Sequence, residues 1–251
     1  MRIFLLGPSY DGSGEYRLTR SDRNYLFRSL RLEEGSLITA RDSEGNYFEA
    51  RLTGTDTLVL TPAERPEGES LSDSLSSYRG RIPDITLYQC ICKGRKNEDI
   101  ARMACEAGVR RIVFVESEFT QERALSGHAL DRVTEIMRQA VQQSGSSAPV
   151  EVPRTIPFDS VLEEASGRKI ILHQGQRSRT RSLYDAVFDL EEDERVCILV
   201  GSEGGFSDSE CGRAEESGFI PVLLSTNILR AETAGIFCIG AVESIAGRTL
   251  T

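Results

Sequence analysis

The chain has 251 residues, 39% of them hydrophobic and 27% charged, with a formal net charge of −9. That length carries one large domain or two modest ones, and no window approaches a membrane-spanning run. The acidic total argues against a generic polyanion binder, whose domain is usually basic, although a local basic patch is enough to engage RNA.

The chain opens MRIFLLGPSYDG, with its apolar stretch confined to residues 3–6. That is too short for a secretory signal, and a cytoplasmic location is the expectation. Residues 3–6 read as a strand. Ser21 or Asp22 can cap a short helix reaching Arg31, with Tyr25, Leu26 and Leu30 as its apolar stripe. SLITARDSEGNYFEARLTGTDTLVLT then alternates apolar and polar residues around Ser43, Glu44, Gly45 and Asn46, a hairpin followed by a further strand. Strand pairing with little helix predicts a small β-barrel over residues 1–75. The next stretch, rich in Pro, Glu, Ser and Gly, reads as a connection, with residues 76–84 as the linker.

From Ile85 the pattern changes. The apolar runs ITLYQCIC, RIVFV, KIILH, RVCILV and IPVLL alternate with helix-like segments at 97–107, 128–143, 158–165, 207–217 and 231–246. Gly108 and Gly145 supply left-handed stops. Short, fully apolar strands between helices predict an α/β domain over residues 85–251, with a parallel sheet covered on both faces. Ligands of such sheets bind where strands give way to loops at their carboxyl ends. Of the six cysteines, Cys90 and Cys92 form C-x-C, and strand alternation would turn both to one face. With only His128 and His173 and no paired Cys/His spacing, no metal site is expected, and buried reduced thiols are the reading.

Three strand ends carry polar or glycine-rich turns. Gly201-Ser202-Glu203-Gly204-Gly205-Phe206 follows RVCILV, and Ser207 with Glu210 can form a capping box for the next helix. The loop lacks the Gly-Lys-Ser/Thr of a P-loop and does not match G-x-G-x-x-G, so a phosphate cradle has little support; a plain strand-to-helix turn fits its spacing equally well. After IPVLL come residues 225–235, STNILRAETAG. Arg230, Glu232 and Thr233 sit there at the start of a helix expected to be buried, so the charges should be paired with each other or serve a ligand. The third is Leu172, His173 and Gln174, leading into Gly175. Basic clusters stand at Arg17, Arg20, Arg23, Arg28 and Arg31, at residues 79–81 and 93–96, and at 177–181; each is also readable as a solvated face.

The order GSEGGF…VLLSTNILRAETA resembles the signature of SPOUT-class RNA methyltransferases, nearest to the ribosomal RNA small-subunit methyltransferase E family. SLRLEEG at 29–35, KGRKNEDIARMACEAGVRRIVFV at 93–115 and AVQQSG at 140–145 extend the resemblance over most of the chain. The resemblance implies a PUA-like RNA-docking barrel followed by a domain with a deep trefoil knot. It also implies a homodimer, S-adenosylmethionine as cofactor, and methylation of uridine N3 in small-subunit (16S) ribosomal RNA. Under it, the cofactor would be held by Leu172, His173, Gln174, Val200, Gly201, Glu203, Gly204, Gly205, Leu223, Leu224, Ser225, Asn227, Ile228, Leu229 and Thr233. Arg230, Glu232 and Thr233 would line the methyl-transfer side. Glu232, or a water it holds, would remove the uridine proton, and Arg230 would stabilise charge on the uracil oxygens. Arg23, Arg28, Arg31, Lys93, Arg95 and Lys96 are the RNA contacts expected.

The sequence departs from the family pattern at several places. Ser202 replaces a proline, Leu224-Ser225-Thr226-Asn227 loses a glycine and an arginine, and Gln142-Gln143-Ser144 replaces Glu-Gln-Ser. Tyr25 stands where many relatives have histidine, and Glu106-Ala107-Gly108-Val109 replaces Glu-Leu-Gly-Val. Two alternatives therefore stand beside the leading reading: a SPOUT methyltransferase acting on a different RNA nucleotide, and a non-catalytic knotted RNA-binding protein of ribosome assembly.

Overall fold

The structure is a computed structural model. It describes residues 3–7, 9–64, 83–109, 111–144, 151, 153–175, 179–191, 194–224 and 226–246. The chain divides into two compact units, Met1–Leu75 with Gln142–Pro149, and Ser76–Val141 with Val150–Thr251. Most of the expected linker, the basic cluster at 79–81, Gly145, Arg177 and Ser225 lie outside the described residues.

The first unit is a curled half-barrel rather than the closed barrel its pattern suggests. Its strands are β1 (Ile3–Leu5), β2 (Glu15–Arg17), β3 (Leu37–Arg41), β4 (Tyr47–Thr53) and β5 (Thr57–Ala63). They lie in the order β1-β3-β4-β5-β2, with β1 parallel to β3 and the other pairs antiparallel. Alternation along β4 and β5 buries Phe48, Ala50, Leu52, Leu58 and Leu60 on one face. The expected hairpin turn forms at Gly45 (φ 92°), where Asp42 Oδ1 accepts from the backbone N–H of Glu44 and Asn46 at 2.9 and 2.8 Å. The short helix is α1 (Arg20–Arg23), continued by a π-helical turn over Asn24–Ser29. Its cap is Thr19, not Ser21 or Asp22. Asp22 is the other half of a capping box and is itself fully buried, so the signal was read one turn too late. Leu26 is buried, with Tyr25 and Leu30 packed against the same core.

The second unit is a six-stranded, wholly parallel sheet in the order β11-β9-β10-β6-β7-β8. Its strands are β6 (Ile85–Cys90), β7 (Arg111–Glu116), β8 (Arg154–Pro157), β9 (Arg168–Leu172), β10 (Val196–Val200) and β11 (Ile220–Val222). Every residue of β6 and β10 is buried, as expected of central strands covered on both faces. The helices are α2 (Lys96–Glu106), α3 (Gly127–Ser144), α4 (Phe158–Glu164), α5 (Leu183–Val187), α6 (Asp208–Glu216) and α7 (Ala231–Ala246). On one face Tyr88, Cys90, Cys197 and Leu199 pack with Val161, Cys211 and Ala214 of α4 and α6. On the other, Gly235 of α7 lies so close that a Cβ there would meet Val200 Cγ2 at 3.4 Å and Leu87 Cδ1 at 3.5 Å.

Residues 85–246 follow the sequence reading to within a residue or two at most boundaries. β2, β8 and α5 are additions, each too short to print a period. All six cysteines are buried and none is disulfide-bonded. β6 ends at Cys90, so Cys92 does not share a strand face with it as the C-x-C spacing suggested. No described helix is long and apolar enough to cross a membrane.

Candidate active site

Strand register explains where the site forms. Val200 of β10 pairs with Leu172 of β9 and with Gln89 of β6, and Leu172 pairs with Val222 of β11. Three strands therefore end level, and the loops leaving them at 173–175, 201–206 and 223–230 meet. They enclose a cavity of about 500 Å³. Every described residue of the expected cofactor set lines it except Thr233: the loops contribute Leu172, His173 and Gln174, then Val200, Gly201, Glu203, Gly204 and Gly205, then Leu223, Leu224, Asn227, Ile228 and Leu229.

The glycine loop is shaped by close approach. Gly205 adopts φ +71°, and its N–H donates to the Ser202 carbonyl at 2.9 Å. A Cβ on Gly201 would lie 2.9 Å from Gly205 Cα, and one on Gly204 would lie 2.9 Å from Phe119 Cβ. Side chains at 201 and 204 would force the loop open, so glycine here serves geometry before chemistry. Gln89, fully buried beneath the loop, donates from Nε2 to the Gly201 carbonyl at 3.3 Å and to the Cys90 carbonyl at 3.1 Å. The expected capping box forms: Ser207 Oγ accepts from Glu210 N–H, and the Glu210 carboxylate accepts from Ser207 N–H at 3.0 Å. That fixes the angle at which the loop enters α6.

The charges at the mouth pair differently from the sequence expectation. Arg230 lines the cavity but its side chain is 83% exposed, and its Nη1 stands 4.0 Å from Glu232 Oε1. The helix start is therefore not buried at Arg230, and the supposed Arg230–Glu232 pair is loose. Glu232, 19% exposed, is not among the residues lining the cavity; it lies nearer Lys96, whose Nζ is 3.4 Å from Glu232 Oε2 and 2.8 Å from Glu203 Oε1. Glu232 Oε2 is buried and, among the described residues, accepts no well-formed hydrogen bond. The hydrogen bond that Lys96 donates to Glu203, and the charge of that carboxylate, hold the Lys96 ammonium above its ordinary pKa. Partial burial pushes the Glu203 carboxyl up, but the hydrogen bonds it accepts from Lys96 and from backbone N–H groups, with the Lys96 charge, together outweigh it and the net shift is downward. Thr233 is exposed and outside the lining; its backbone N–H donates to the Arg230 carbonyl at 2.9 Å.

Lys96 is the lining residue whose role sequence reasoning missed. In the sequence it stands as part of a basic cluster, because Glu203 lies 107 residues away and nothing local links them. Its position is fixed by its neighbour Asn97, whose buried side chain bonds both the N–H and the carbonyl of Cys92, at 2.9 and 2.7 Å. The remaining expected RNA contacts are exposed: Arg23, Arg28 and Arg31 in the first unit, Lys93 and Arg95 in the second. Arg31 holds φ 56°, the left-handed region that side chains seldom adopt.

A model of the RNA methyltransferase domain matches residues 80–243. The chain is 28% identical to ribosomal RNA small subunit methyltransferase E of Aquifex aeolicus over 80% of its own length and 91% of that protein. It is 28% identical to the protein of the same name from Synechocystis, over 91% of this chain and 72% of the relative. The crystal structure of a ribosomal RNA small subunit methyltransferase E from Neisseria gonorrhoeae, bound to S-adenosyl methionine, superposes with a TM-score of 0.73 at 26% identity, covering 98% of both chains.

Proposed function

The chain belongs to the RNA methyltransferase family, in its ribosomal RNA small-subunit methyltransferase E branch, and from that premise we propose that it methylates N3 of a uridine in 16S ribosomal RNA, using S-adenosylmethionine. The observation that carries this reading is the junction of three level strand ends in one cavity, with a glycine-shaped wall on one side and an under-bonded carboxylate beside it.

The residues present fit the cofactor. The cavity volume, about 500 Å³, suits a nucleoside carrying an amino-acid arm. Leu172, Val200, Leu223 and Leu229 supply apolar walls for a base. The glycine turn brings backbone groups to the surface where a Cβ would fill the space. When bound, the cofactor supplies an electrophilic methyl group on a sulfonium. The protein's own part is orientation and proton handling. Uridine N3 keeps its proton at neutral pH, so an acceptor must take it, and the Glu232 carboxylate is placed to do so, directly or through water. Arg230, free to swing from its exposed position, stabilises charge on the uracil oxygens. The target base leaves its stack to reach the cavity.

The rest of the reading follows from the family. Residues 1–75 are a PUA-like RNA-docking domain, 76–84 a linker, and 85–251 a SPOUT domain with a trefoil knot. In support of the knot, β10 inserts between β6 and β9, strands already placed earlier in the chain. A homodimer is supported by Tyr184 and Phe188, stacked at 5.6 Å and each half exposed, and by the half-exposed Phe237 of α7. The acidic total favours a shaped subunit over naked RNA as substrate. Mass mapping of ribosomal RNA from cells lacking the protein tests the reading. One small-subunit uridine should lose its methyl group; if none does, the assignment fails.

A further inference from the structure

We propose that Lys96 is a positioning residue, not an RNA contact: its ammonium ties Glu203 of the glycine loop to Glu232 at the start of α7 and sets where the Glu232 carboxylate stands for proton removal. This rests on the reading of Glu232 given above.

The geometry separates the two roles. Lys96 Nζ lies 2.8 Å from Glu203 Oε1 and 3.4 Å from Glu232 Oε2. Its side chain is 33% exposed, with the ammonium already engaged by two carboxylates. A lysine so engaged has no free charge to lend to a phosphate. Its backbone is also placed for the task, because the Asn97–Cys92 bonds fix the first turn of α2. A second tie runs beside it, from Lys93 N–H to Glu203 Oε1 at 3.3 Å. The glycine loop and the start of α7 are thus both referenced to one ammonium.

The charge balance states what Lys96 prevents. Glu232 is faced by Lys96 and Cys92 from the segment joining β6 to α2, by Glu203 from the glycine loop, and by Arg230 next to it. The Cys92 thiol, pushed up to about 12 by burial, stays neutral. Arg230 is exposed and 4.0 Å away, so solvent screens it. Without Lys96, the carboxylates of Glu203 and Glu232 are left, among the described residues, with that screened cation alone. Like charges so placed repel, and Glu232 turns away from the glycine loop.

Lys96→Met and Lys96→Arg test this, alongside Arg95→Ala as a phosphate-contact control. The first readout needs no activity: crystal structures of the full-chain variants give the position of the Glu232 carboxylate. In Lys96→Met that carboxylate should turn away from Glu203, and in Lys96→Arg it should stand where the wild type has it. The kcat for methyl transfer should fall about 100-fold in Lys96→Met and recover in Lys96→Arg, with RNA affinity unchanged within about twofold and the same salt slope. Arg95→Ala should instead lower the salt slope by about one, with the Glu232 carboxylate in place. A Glu232 carboxylate unmoved in Lys96→Met, or a salt slope lowered by about one in that variant, overturns the proposal. A displaced carboxylate in Lys96→Met, where the wild-type protein methylates no RNA, leaves the clamp standing and removes the proposed reaction.

Discussion

Two carboxylates, one in each unit, are held in opposite ways. Asp22 is fully buried in the half-barrel, and its Oδ2 accepts from the Tyr16 hydroxyl at 2.9 Å, the Thr19 N–H at 2.9 Å and the Thr19 hydroxyl at 2.7 Å. Its own N–H closes the capping box on Thr19 Oγ1 at 3.1 Å. Glu232 stands beside the cavity of the parallel-sheet unit with Oε2 buried and, among the described residues, accepting no well-formed hydrogen bond. An acid whose lone pairs are filled by its own fold anchors a helix start. An acid left short of donors, beside a pocket and tied to one ammonium, is a group free to accept from a ligand.

Exchanging the acids for neutral partners should separate the two roles. Glu232→Gln should lower methyl transfer by about 100-fold or more while calorimetric affinity for S-adenosylmethionine and the denaturation midpoint stay put. Wild-type turnover in that variant would remove Glu232 from the chemistry. Asp22→Ala should do the converse, lowering unfolding free energy by about 2–3 kcal/mol through the lost cap and the stranded Tyr16 hydroxyl. Urea titration followed by a probe in the first unit measures it, with cofactor affinity unchanged. Gly201→Ala probes the glycine-shaped wall of the cavity. Its Cβ would press on Gly205 at 2.9 Å, and the loop should open enough to weaken cofactor binding about tenfold.

Smaller effects sharpen the contrast. Arg28→Ala, on the exposed side of the half-barrel helix, should weaken RNA binding a few-fold and lower the salt slope by about one, leaving the cofactor untouched. The smallest signal is the most selective. All six cysteines lie in the second unit, and burial pushes Cys92, Cys105 and Cys238 up to about 12. A thiol so raised forms no reactive thiolate until the pH passes that value, so alkylation at neutral pH should be negligible in the folded protein. Asp22→Ala should leave it so. Rapid labelling in that variant would show that the units do not unfold separately.

Much of this arrangement was legible in the sequence. The apolar runs at 85–90, 196–200 and 220–222, each ending in a polar or glycine turn, already placed the ligand site at strand ends, because fully buried parallel strands print as unbroken apolar runs. What did not show was register. That Val222, Leu172 and Val200 end level is a property of pairing across the sheet, and no local pattern encodes it. Lys96 was misread for the same reason, since its partners lie 107 and 136 residues away along the chain. Arg230 was expected to be buried because the helix it precedes is apolar, yet the helix buries only the face bearing Gly235, Cys238 and Ile239, and Arg230 stands in solvent. Asp22 is a cap's partner and not the cap, which local pattern does not distinguish, since Thr19, Ser21 and Asp22 all carry capping side chains within four residues.

The most direct test of the central claim uses the purified protein with methyl-labelled S-adenosylmethionine and small ribosomal subunits from cells lacking it, followed by nucleoside analysis of the RNA. The account predicts label in 3-methyluridine from 16S RNA, and its loss with Glu232→Gln. Label in any other nucleoside, or none despite measured cofactor binding, would contradict it.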